Sequence, residues 1–160
     1  MSVSPIGNEI LVNTAVAGTQ SEPQIVALKT PGGGFVVTWV DGDSASDFTP
    51  GSLGVGGATG DTSDTAVKAQ VLDENGNKVG GEILVNTAVI GPQAFGRVTA
   101  LEGGRFAVVW QDGGSSNFRP GSLGVGGAGG DTEKGAIKAQ VFEANGTRVG
   151  GEILVNSATA

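Results

Sequence analysis

The sequence predicts an all-β fold of tandem four-stranded antiparallel units, each about 70 residues long and resembling a β-propeller blade. Three observations predict it. The chain repeats itself, each repeat carries four short β-rich runs, and no window of useful length shows helical periodicity. "EILVNTA" at 9–15 recurs at 82–88, and "EILVNSA" stands at 152–158, giving spacings of 73 and 70 residues. Thirty glycines in 160 residues fit short strands joined by many turns, since Gly ordinarily makes up roughly 7% of a chain.

The elements follow in order. The first run of each unit is "IVAL" (25–28), matched by "VTAL" (98–101). The second, 35–40, puts Phe35, Val37 and Trp39 on one face and Val36, Thr38 and Val40 on the other. Side chains alternate across a strand, so both faces must be at least partly covered. Its partner, 105–111, has the same two-sided character. The third, 66–72, alternates Val67, Ala69 and Val71 with Lys68 and Gln70, and 136–142 repeats it. The fourth, 82–86, is the more polar outer strand. "PGGG" and "EGG" join the first strand to the second, and "ENGN" and "ANGT" join the third to the fourth. Asn-Gly between β-rich runs is a strong hairpin signal, because both residues accept positive φ.

Faces covered on both sides suit blades that stack. The outer strand occurs three times against two copies of the others. The chain therefore divides into a spare outer strand at 1–15, one unit at 16–88 and a second at 89–160. Two blades cannot close a ring, so the reading calls for a homo-oligomer or for neighbouring repeats of a longer chain. A pseudo-symmetric β-sandwich is the alternative architecture.

Composition excludes several function classes. The net charge is −7, and the nine basic residues are scattered singly, which argues against nucleic acid. With no His and no Cys, imidazole catalysis, thiolate chemistry and disulfides are all absent. No run approaches the ~20 apolar residues of a membrane span, so no membrane insertion is expected. The N-terminus, "MSVSPIGNEILVNT", shows no signal peptide.

The segments between second and third strands are the anomaly. They run over 41–65 and 112–135, whereas hairpin loops ordinarily take 2–5 residues. Residues 50–71 match 120–141 at 17 of 22 positions, while the first strands agree at two of four. Loops that hold so closely to one sequence, "PGSLGVGGATGD" and "PGSLGVGGAGGD", call for a specific backbone geometry that serves either packing or a ligand. "DGDSASD" spaces Asp41, Asp43 and Asp47 as a calcium loop would, and copy two keeps Asp112. These four residues make Ca2+ the candidate metal, against the plainer reading of Asp and Ser as turn formers. Phe48 and Phe118, with Asp61 and Asp131, form the candidate ligand-binding set: an aromatic face beside acids suits a sugar, or else pins the loop. No acid–base pair stands out among the carboxylates, so the chain reads as no enzyme.

The pattern "EILVNT…PQIVALKTPGGGFVVTWVD…VKAQVLDENGNKVGGEILVNT" resembles the tandem repeats of very large RTX-type bacterial proteins. The likeness covers essentially the whole chain. It implies a secreted or cell-surface protein exported by type I secretion, whose signal lies at the far C-terminus, with roles in attachment or matrix formation. The nonapeptide calcium repeat "GGxGxDxUx" of such proteins does not occur here. The resemblance and the loops together suggest a non-catalytic adhesive repeat module that presents Gly-rich loops to glycans or cell surfaces. A purely structural self-associating module is the alternative.

Overall fold

The structure, a computed structural model, describes residues 7–14, 19–42, 65–87, 92–113 and 135–156. It is all-β. β1 (Gln20–Ala27), β2 (Phe35–Asp41), β3 (Ala66–Leu72) and β4 (Lys78–Leu84) form one antiparallel sheet in sequence order. β5 (Gln93–Ala100), β6 (Phe106–Asp112), β7 (Ala136–Phe142) and β8 (Arg148–Leu154) form a second of the same order. Among the described residues a single 3-10 turn, Glu102–Gly104, lies between β5 and β6.

The first and fourth strands begin earlier than the expected runs 25–28 and 82–86, and end at Ala27 and Leu84, one and two residues short of them. β1 begins at Gln20, and its register shifts between Ser21 and Gln24. Glu22 sits there at φ 53°, and Phe95 takes φ 57° at the same place in β5. Such bulges let a strand continue through residues that break the alternation. β4 begins at Lys78 and carries Gly80-Gly81, a weak strand sequence. Gly80 and Gly150 take φ near 70° beside the register shift that faces Gln70 and Gln140. The Gln70 amide fills the gap, donating to the Val71 carbonyl at 3.0 Å, and Gln140 does the same.

The Asn-Gly hairpin differs in detail from its sequence signal. Only the glycine has positive φ, 82° at Gly76 and 85° at Gly146. Asp73 N–H donates to the Asn77 carbonyl and Gly76 N–H to the Asp73 carbonyl, which makes a three-residue loop. That is a type I turn closed by a Gly bulge. The Asp73 carboxylate accepts from the Asn75 and Asn77 N–H groups and the Asn77 amide. The Asn77 bonds hold its carboxyl below the ordinary value.

The sheets pack front to back. Phe35, Val37 and Trp39 mark the front of the first sheet; Val36, Val67, Ala69 and Val71 mark its back. In the second sheet Phe106, Val108 and Trp110 are the front, and Ala107, Ile137, Ala139 and Val141 the back. The core joins the back of the first sheet to the front of the second: Val36, Val67, Ala69 and Val71 against Phe106, Val108, Trp110 and Phe142. Phe106 and Phe142 stack there at 5.1 Å. Each valine or phenylalanine so buried contributes about 1.5–3 kcal/mol. Because non-equivalent faces meet, the front of the first sheet and the back of the second have no sheet partner within the described residues.

Candidate functional site

Among the described residues, buried charge gathers on the front of each sheet. Register sets it: Trp110 is opposite Lys138, and Lys138 is opposite Leu154, which brings Asp112 and Glu152 to either side of the lysine. Lys138 Nζ lies 2.5 Å from Asp112 Oδ2 and 3.0 Å from Glu152 Oε1, with all three side chains no more than 1% exposed. Gln93 Nε2 donates to Asp112 Oδ1 at 2.9 Å. The remaining acceptors are met from the first sheet. Thr87 donates its N–H and its hydroxyl to Glu152 Oε2, at 3.0 and 2.7 Å, and Asn86 Nδ2 donates to Gln93 Oε1 at 3.3 Å. Asn86 Oδ1 meanwhile accepts the Val67 N–H, which ties the tail to its own sheet. The Arg148 guanidinium adds a second clasp, donating to the Leu84 and Val85 carbonyls.

The tail of β4 therefore belongs to one sheet and locks the next. The same arrangement recurs one unit earlier. Lys68 pairs with Asp41 and lies 3.7 Å from Glu82, Gln20 Nε2 donates to Asp41, and Asn13 Nδ2 donates to Gln20. Thr14 N–H donates to Glu82. Ile10 packs over Gly76 as Ile83 packs over Gly146, so that a Cβ at either glycine would meet the isoleucine's Cδ1. Residues 9–14 thus occupy on the first sheet the place that 82–87 occupy on the second.

Burial raises the Glu152 carboxyl, but the Thr87 and Lys138 hydrogen bonds outweigh it and hold the group below its ordinary value of 4.5. Burial likewise lowers Lys138, and its bonds to Asp112 and Glu152 outweigh that and push it above 10.5. The signs give a pH window. The stability from Glu152 is complete above pH 4.5 and is lost as pH falls through its depressed value. The stability from Lys138 is complete below pH 10.5 and is lost as pH rises through its raised value. Urea unfolding across pH should show a plateau between these limits, and Thr87→Val should make the acid loss smaller and complete it at a higher pH. A profile that Thr87→Val leaves unchanged on its acid side would contradict this account.

Chemically the arrangement is a lock. A proton-transfer pair needs a carboxyl within reach of substrate, and these carboxylates are enclosed and already paired. The indole N–H groups of Trp39 and Trp110 are buried nearby without a hydrogen-bond partner.

Of the sequence-derived metal residues, Asp41 and Asp112 are described, and each carboxylate faces a lysine ammonium. A cation there would have to displace that lysine. Asp43 and Asp47, with the ligand-binding set Phe48, Asp61, Phe118 and Asp131, lie outside the described residues. Among the described residues no three acidic side chains gather where a metal could be held. Sequence reasoning missed Lys68, Glu82, Lys138, Glu152, Gln20 and Gln93. For Lys68, Glu82, Lys138 and Glu152 the signal was the repetition of "KAQV" and "GGEILVN" in both copies, polar residues that β propensity alone does not require.

No protein-family model, curated protein or solved structure matches the chain.

Proposed function

We propose that the chain is a non-catalytic repeat module of a secreted bacterial surface or matrix protein, a scaffold that presents its Gly-rich segments for glycan or surface contact. One observation carries the reading. Asp41 and Asp112 end β2 and β6, where the long segments depart, and Lys68 and Lys138 stand just inside their return on β3 and β7. The buried lock therefore fixes the base of each segment at equivalent points of two stacked sheets. Segments repeated at fixed spacing let weak contacts add. The resemblance to RTX-type repeats supports the extracellular setting.

The test replaces 50–61 and 120–131 together by short Gly-Ser links and measures binding to a glycan array and to bacterial cells. Binding by the full chain that disappears in the variant, with the urea midpoint kept, supports the reading. Equal binding by both proteins, or none by the full chain, overturns it. The alternative of a self-associating structural module is favoured by a different observation, the two sheet faces that have no sheet partner among the described residues.

A further inference from the structure

We propose that the back of the second sheet docks on the front of the first sheet of a second copy of this chain, with the incoming 152–156 tail replacing that copy's own residues 9–14. The proposal is independent of glycan contact. It rests on the seam the molecule already contains. At that seam the first sheet's back meets the second sheet's front, and both surfaces have counterparts left over.

The leftover back is apolar and open. Ile137 is 40% and Val155 54% exposed, while their counterparts Val67 and Val85 are fully buried by the second sheet. Ile153, the counterpart of Ile83, is 49% exposed. The leftover front is the counterpart surface. Phe35 and Val37 are half-buried where Phe106 and Val108 are buried, and Ile25 is 67% exposed. An apolar pocket of about 170 Å3 opens there between Val12, Pro23, Val37 and Trp39.

The existing seam also gives the register. Val67 packs on Gly96 so closely that a Cβ there would lie 2.9 Å from Val67 Cγ1. The counterparts are Ile137 on one copy and Pro23 on the other. Both are bulkier, and the pocket beside Pro23 offers the space the larger knob needs. Lys78 holds the position of Arg148, so a cation is again in place for the carbonyls of an incoming tail. Residues 9–14 now fill the tail's position and compete with it. Association is thus reversible and head-to-tail, and such contacts close into rings or run on as filaments according to the rotation per step.

The chain has no cysteine, so the test uses single-cysteine full-length variants, Ile137→Cys and Pro23→Cys. The expected result is a disulfide-linked pair on mild oxidation of the mixture, with little from either variant alone. Ile137→Lys should weaken self-association in sedimentation equilibrium roughly tenfold, the effect of excluding one buried isoleucine. Ile10→Ser, which loosens the competing segment, should strengthen it. Ile137 and Ile10 are exposed enough to be changed without unfolding, which circular dichroism checks. A wild-type chain that stays monomeric at every concentration overturns the proposal. So does cross-linking of Ile137→Cys with itself as readily as with Pro23→Cys, or association that Ile137→Lys leaves unchanged.

Discussion

Lys138→Met should destabilise the protein by about 3–5 kcal/mol, because removing one partner of a buried ion pair leaves uncompensated charge. Methionine keeps most of the aliphatic stem, so the loss is one of charge more than of volume. Asp112 and Glu152 would then face each other across the lysine's place with no cation between them. Two features separate this cause from simple repacking. The penalty should shrink as pH falls toward the range where carboxyls take up protons, the reverse of the wild-type trend. Adding Asp112→Asn and Glu152→Gln to Lys138→Met should recover most of the loss, since a neutral hydrogen-bonded set is cheaper to bury than two like charges. Urea midpoints at neutral pH and near pH 4 provide both comparisons. A Lys138→Met penalty that does not change with pH would mean that charge was not its source.

Trp110→Ala should cost about 3–5 kcal/mol, the range for deleting a fully enclosed aromatic side chain. Trp39→Ala, at the same position of the first unit, should cost roughly half as much, since part of its space opens into an existing pocket and leaves a smaller closed cavity. Trp110 is 1% exposed and lies in the seam between sheets, whereas Trp39 lines the pocket under residues 9–14. Equal costs in matched urea titrations would contradict the front-to-back packing. These are the only two tryptophans, so each variant also leaves a single fluorophore that reports one sheet.

The strand order was legible because β2 and β3 carry strong β-rich runs, and the sequence placed 66–72 without error. The longer β1 and β4 were not, since Pro23 and the Gly80-Gly81 pair interrupt the alternation that marks a strand. Bulges absorb those residues, and a bulge depends on the neighbouring strand, which local sequence does not describe. The lock was hidden for a related reason. Lys68 and Gln70 alternate with Val67 and Ala69 as a water-facing row would, yet β3 is buried on both faces. Whether such a row meets water or the preceding unit is decided by stacking. The exchange of tail residues between units was half visible, in the third copy of "EILVN" that had no sheet of its own.

The tail that completes one sheet and fastens the next has a genetic consequence. On the stacking proposed above, unequal crossing-over that inserts one more unit brings a tail and a face of the kind its neighbours already use. No compensating change elsewhere in the gene is needed, and the loss of a unit is equally silent at the junction it leaves.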